Sequence, residues 1–296
     1  MSDGPAGDRG TSWTGPRSAV FPCGSALGAT FDPSLIQEVG VALGRQARSK
    51  SAHVLLAPTV NLHRTPIGGR NFECMSEDPL LTGVLARAYV EGVQSQGVAC
   101  CIKHFIGNDT EYERGTISSE IDERTLREVY LLPFEMAVGQ NVRAVMTAYN
   151  KLNGTFCADH EWLITTVLRK EWGFDGVVIS DWFGLHSTAE AINAGLDIEM
   201  PGPTRHRGHL LESAVNEGVV DSATIDASVA RVRALAEWAQ ASKSNGSERT
   251  EDDAVTRDVQ YRAAVGSTVL LTNDNDQLPW SAQAGERIAL VGPHAS

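Results

Sequence analysis

Six short apolar runs alternate with helical patterns along this chain, and that alternation leaves few folds open to it. The runs cover residues 19–22, 53–62, 98–105, 142–149, 177–180 and 196–200. Several are almost purely Val, Ile, Leu, Ala and Cys, the composition of strands buried on both faces of a parallel sheet. The segments between them repeat apolar residues at helical spacing. Leu35, Val39, Leu43 and Ala47 form one such face, and Leu81, Leu85 and Tyr89 another. Both stretches open on Asp-Pro, at Asp32-Pro33 and Asp78-Pro79, which predicts an N-cap followed by proline in the first turn. A third helix is expected over residues 123–138, kinked at Pro133, and a fourth from Asp159 to a stop at Gly173.

Strands alternating with helices in this order predict an α/β fold. Six units fit a (β/α)8 TIM-type barrel that is N-terminally incomplete, with an open doubly wound sheet as the alternative. No GxGxxG follows the first strand, which weighs against a nucleotide fold. A polar, Ser-rich stretch over residues 242–253 reads as linker. A helix over 255–265 and strands at 268–271 and 288–291 are expected beyond it. This tail is too short for a core of its own and reads as the opening of a second domain.

Bulk properties remove several function classes. The 296 residues carry a net charge of −12, unsuited to nucleic acid or an anionic membrane as main partner. No apolar run approaches the roughly 18 residues of a membrane span. The N-terminus lacks signal-peptide character, so a cytoplasmic location is expected. Five cysteines occur without a CxxC pair, so no disulfide framework is signalled. No His/Cys/Asp/Glu spacing signals a metal site, and no cofactor is expected.

The polar residues at the strand ends carry the chemistry. The run at 177–180 stops at Asp181-Trp182, a carboxylate beside an indole. Such an Asp either caps the next helix or sits where α/β barrels place catalytic groups, and in isolation the two readings balance. Other runs end similarly. The second leads to Gly68-Gly69-Arg70, the third to Lys103-His104 and then Arg114, and the fourth to Tyr149-Asn150. Each has an ordinary alternative: a solvated charge for Lys103 or Arg114, a core group for His104 or Tyr149, a pair with Glu73 for Arg70. Four strands ending in groups that can hold several hydroxyls form a stronger signal than any one of them.

The blocks GRNFECMSEDP, KHFIGNDTEYER, VMTAYNKLNG and GFDGVVISDW resemble, in order and separation, those of glycoside hydrolase family 3 in its β-glucosidase branch. SDGPAGDRG near the start and VLLTNDNDQLPW near the end extend the resemblance over essentially the whole chain. It implies a barrel domain over residues 1–241, a linker over 242–257, and the beginning of an α/β sandwich domain over 258–296. It further implies a retaining hydrolase that releases terminal β-D-glucosyl residues by double displacement. Asp181 would be the nucleophile. Asp3, Arg70, Lys103, His104 and Arg114 would grip the sugar hydroxyls, with Lys103 and Arg70 keeping Asp181 ionised. Met146, Tyr149 and Trp182 would line the pocket. The implied partner is a β-glucoside or oligosaccharide. Family members begin with a helix and a strand before the DGP block, and carry their acid/base Glu in the second domain. The expectation is therefore a chain truncated at both ends, weak or inactive alone, that self-associates or meets a separate chain supplying that domain. The alternative is a non-catalytic sugar-binding or partner-binding remnant.

Overall fold

The computed structural model describes residues 1–10, 14–240, 246–281, 285, 287–289 and 291–292. Five parallel strands form the central sheet: β1 (Ser2–Asp3), β2 (Val54–Leu56), β3 (Ala99–Phe105), β4 (Ala144–Thr147) and β5 (Val177–Ile179), paired in that order. Registers place Asp3 beside Leu56, Leu55 beside Cys100, Ile102 beside Val145, and Met146 beside Ile179. Ile198 continues the series with a single parallel bridge to Ile179. The chain is therefore α/β with a parallel sheet.

Alternation along the strands divides the core into two layers. Leu55, Cys100, Ile102, Val145 and Val178 face the main helices. Val54, Leu56, Ala99, Cys101, Ala144, Met146, Val177 and Ile179 pack on the other face, joined by Leu235 from the helix Ser222–Gln240. Burial on both faces explains the unbroken apolar runs, since no position of β2, β3, β4 or β5 faces water.

The helices Pro33–Ser49 and Pro79–Gln94 form as their caps predict. Asp32 accepts hydrogen bonds from the N–H groups of Ser34 and Leu35 at 3.0 and 3.1 Å, and Asp78 from that of Leu80 at 2.8 Å. These helices cross closely at Gly40 and Gly92. A Cβ on Gly92 would lie 2.2 Å from the Gln37 carbonyl, and one on Gly40 2.6 Å from that of Tyr89, so both positions require glycine. The third helical stretch is broken ahead of Pro133. Its first part, Glu123–Thr125, widens over Leu126–Tyr130, and Leu132–Val138 then starts afresh with the proline in its first turn. The fourth, Trp162–Glu171, ends before Gly173, whose φ is +69°. Lys151–Leu152 and Thr155–Phe156 form a hairpin through Asn153-Gly154, both at positive φ.

Three expected strands differ. Residues 19–22 carry no regular element, and Phe21 is instead buried in the core. The first strand is Ser2–Asp3, too short and too polar to show as an apolar run. Residues 268–271 form no strand; Val269, Leu270 and Leu271 lie exposed, with no sheet beside them among the described residues. The described part of 288–291 is likewise irregular. Of the expected linker, residues 242–245 lie outside the described residues, and 246–253 carry no regular element. The helix Ala254–Gly266 follows, capped by Asp253, which accepts from the Thr256 N–H at 2.6 Å. It buries Val259 and Ala263, pairs Arg262 with Glu38 of the helix Pro33–Ser49, and reaches the Val20 carbonyl through Gln260. Among the described residues no helix is long and apolar enough to cross a membrane, and no cluster of three or more His, Cys, Asp or Glu could hold a metal. All five cysteines are free thiols.

Candidate active site

A cavity of about 360 Å³ opens where β1, β3, β4 and β5 end. All nine residues singled out from the sequence line it: Asp3, Arg70, Lys103, His104, Arg114, Met146, Tyr149, Asp181 and Trp182. Arg9, Leu56 and Glu73 complete the wall. A parallel sheet produces this convergence because all its strands end on one side, so residues far apart in sequence meet at one rim.

Lys103 and His104 are neighbours at the end of β3, yet both reach the cavity. Regular alternation would send them to opposite faces. The register of β3 against β4 shifts between Ile102 and Phe105, and this irregularity lets consecutive side chains share one side. Lys103, 5% exposed, places Nζ 2.7 Å from Asp3 Oδ1. Arg9 stands 3.6 Å from the other Asp3 oxygen. Burial pushes the Asp3 carboxyl up, but the Lys103 charge and hydrogen bond, with Arg9 and the Gly4 N–H, outweigh it and hold the group below its ordinary value.

Arg70 makes a two-pronged pair with Glu73, Nε to Oε1 at 3.0 Å and Nη2 to Oε2 at 2.9 Å. The alternative reading of Arg70 thus holds, and the paired guanidinium still faces the cavity. Its Nη2 also lies 3.1 Å from His104 Nε2. Arg114 pairs with Glu111 at 2.6 Å and stacks over the Tyr149 ring, 4.4 Å from its centre. That stack combines a cation with an aromatic face and fixes the ring beside Asp181.

Asp181 follows β5 immediately and is buried. Its Oδ1 accepts the Trp182 N–H at 2.7 Å, while its Oδ2 accepts no hydrogen bond and lies 3.5 Å from His104 Nε2. Burial is the largest influence on the carboxyl and raises its pKa above the ordinary value. The Trp182 N–H, Tyr149, Lys103 and Arg70 oppose it without cancelling it. The cations therefore favour the ionised form as expected, but desolvation sets the net direction. Tyr149 is displaced upward in turn, by burial first and by the adjacent Asp181 second. Trp182 remains 37% exposed, its indole at the cavity edge. Met146 is fully buried under the floor.

Sequence reasoning missed Asn61. Its Oδ1 accepts from the His104 backbone N–H at 2.9 Å and lies 3.0 Å from His104 Nδ1, and its Nδ2 donates to the His104 carbonyl at 3.0 Å. One available signal was an amide inside an otherwise apolar run, where a buried polar group demands partners. Arg9 gave no such signal, being a polar residue in polar surroundings, whereas Glu73 was visible as the alternative partner of Arg70.

The description "Glycosyl hydrolase family 3 N terminal domain" matches residues 9–235. A beta-glucosidase of Rhizobium radiobacter is 55% identical over the whole chain, and a probable beta-glucosidase K of Emericella nidulans 46% identical over 99% of it. The chain spans 37% and 35% of those relatives' lengths. Among solved structures, the beta-glucosidase of Kluyveromyces marxianus in complex with glucose superposes with a TM-score of 0.91 at 41% identity. That match covers 94% of this chain and 35% of the other. Beta-glucosidase 3B of Thermotoga neapolitana in complex with glucose gives a TM-score of 0.83 at 39% identity, over 95% of this chain and 41% of the other. The chain belongs to glycosyl hydrolase family 3, of which it carries the N-terminal domain.

Proposed function

We propose that this chain carries the nucleophile and sugar-binding part of a retaining β-glucosidase. The observation that carries the reading is Asp181: a buried carboxylate at a strand end, one oxygen unpartnered, in a cavity walled by Lys103, Arg70 and Arg114. A retaining glycosidase needs a carboxylate that attacks the anomeric carbon and stabilises the oxocarbenium-like transition state. Asp181 Oδ2 is the oxygen free to do so. The Asp3–Lys103 and Arg70–Glu73 pairs supply the fixed donors and acceptors that select a polyhydroxylated ring, because a misplaced hydroxyl would leave them unpaired. The parallel strands, all ending at one cavity, also support the reading of this sheet as part of a (β/α)8-type barrel. Relatives seen with bound glucose add support for a glucosyl unit in this site.

The acid/base is not assigned among these residues. Asp3 is held by Lys103 and Arg9, and Glu73 by both prongs of Arg70, so neither carboxylate is free to donate a proton. Glucosides with strongly activated leaving groups depart without protonation and isolate the step that Asp181 performs. Incubation with a 2-fluoro dinitrophenyl β-glucoside followed by peptide mass spectrometry should find the label on Asp181. Folded protein left unlabelled, while glucose or gluconolactone still binds, would replace this reading with non-catalytic sugar binding.

A further inference from the structure

We propose that Asn61 is a positioning residue that locks His104 as its Nδ1–H tautomer, so that the Nε2 lone pair accepts from Arg70 at the cavity wall. The inference deepens the glycosidase reading, and rests on it only for the effect on sugar binding.

The assignment follows from groups whose roles are unambiguous. The His104 backbone N–H can only donate and its carbonyl can only accept. They contact the Asn61 side chain at 2.9 and 3.0 Å, which places the amide oxygen toward the N–H and the amide nitrogen toward the carbonyl. Flipping the amide would set donor against donor and acceptor against acceptor. That same oxygen lies 3.0 Å from His104 Nδ1, and an amide oxygen only accepts, so Nδ1 carries the hydrogen.

The far side of the ring agrees. Arg70 Nη2, a donor with no lone pair, lies 3.1 Å from Nε2, so Nε2 accepts. A protonated Nε2 would point a hydrogen at that guanidinium. The neutral ring also suits its surroundings: burial and the charges of Arg70, Lys103 and Arg114 disfavour the imidazolium, and the Asp181 carboxylate 3.5 Å away does not reverse this. His104 and Asp181 are accordingly not an ion pair, and His104 has no proton to give at Nε2.

The relay Asn61–His104–Arg70 has a consequence for recognition. The single lone pair of His104 Nε2 is taken by Arg70 and helps aim that guanidinium at the cavity, while Asp181 Oδ2 beside it is the acceptor that still lacks a donor, which a ligand hydroxyl can supply. Asn61 touches no substrate, but it determines that His104 accepts rather than donates.

The test is long-range proton–nitrogen NMR on protein labelled with 15N-histidine, with His104 assigned by its loss in His104→Gln. The expected result is a protonated Nδ1 and a bare Nε2, with no titration between about pH 5 and 8. The reverse tautomer, or an imidazolium forming in that range, overturns the proposal. Asn61→Asp is nearly isosteric and adds a carboxylate beside Nδ1. It should bring His104 titration into the observable range and weaken gluconolactone binding about tenfold. An Asn61→Asp protein with unchanged His104 signals and unchanged sugar affinity also overturns it. If the unsubstituted protein shows the expected tautomer but binds no sugar, the glycosidase reading fails and the tautomer assignment stands.

Discussion

Lys103 Nζ and Asp3 Oδ1 lie 2.7 Å apart although 100 residues separate them in sequence, and this pair joins the ends of β3 and β1 inside the candidate site. The lysine is buried and the aspartate half-buried, so removing the cation strands a carboxylate that burial already disfavours. Lys103→Met should cost roughly 1–3 kcal/mol of stability, the range for losing a buried hydrogen bond to a charged group. Because the Asp3 pKa is depressed in the folded protein, its contribution is present above the unfolded carboxylate pKa and fades as pH falls through the folded one. Denaturant midpoints should therefore separate the two proteins at pH 7 and converge in acid.

Asp181→Asn keeps the shape of the side chain and removes the proposed nucleophile. Release of phenol from an activated aryl glucoside should fall on the order of 10⁴-fold or more. Stability should move the other way. The folded protein raises the Asp181 pKa, so the ionised form destabilises it at neutral pH, and a neutral amide removes that cost. The melting temperature should rise, by about 2–4 °C for each kcal/mol regained.

Asp109 offers a pH test away from Asp181. Burial pushes its carboxyl up to about 6, although it accepts the Leu62 N–H at 3.1 Å. A raised carboxylate pKa means that folding holds the proton more tightly, so stability falls as pH rises from about 4 to 6 and levels off above. Asp109→Asn can still accept from Leu62 and should erase that decline. Melting temperatures across this range should diverge in favour of the variant; parallel curves would contradict the assignment.

Asp197 is a structural anchor beneath the site. Its buried carboxylate pairs with Arg169 at 2.8 Å and Arg231 at 2.7 Å, and accepts the Val178 N–H at 2.9 Å, three residues before Asp181. Asp197→Ala leaves two guanidinium groups without their partner and should cost about 3–5 kcal/mol. The check is the unfolding midpoint in urea, with an unchanged slope showing that compactness is retained.

Much of this was legible in the sequence, for physical reasons that differ by element. The helices Pro33–Ser49 and Pro79–Gln94 announced themselves through Asp-Pro starts, since capping is a local matter. The buried strands showed as apolar runs because both faces are covered. Ser2–Asp3 did not, because two residues carry no periodicity and are a strand only by pairing with Leu55 and Leu56. Residues 268–271 failed in the opposite way, with strand-like composition and no neighbour among the described residues. The nine site residues converge because parallel strands end together, which strand order alone predicts. Of the partners that tune them, the Arg70–Glu73 pair is a three-residue spacing visible in the sequence, whereas Asn61 reaches His104 across 43 residues, a pairing that only the fold creates.

The register shift in β3 that sends Lys103 and His104 to one side makes the cavity a gauge of alignment across the whole sheet. A sugar held between Asp3 and Asp181 would clasp the first strand to the fifth, across an assembly whose members come from distant parts of the chain. Binding confined to the aligned form stabilises it in proportion to the logarithm of ligand concentration. The small molecule would then act as a staple as well as a substrate, and its effect on melting temperature would report whether the strands have found their places.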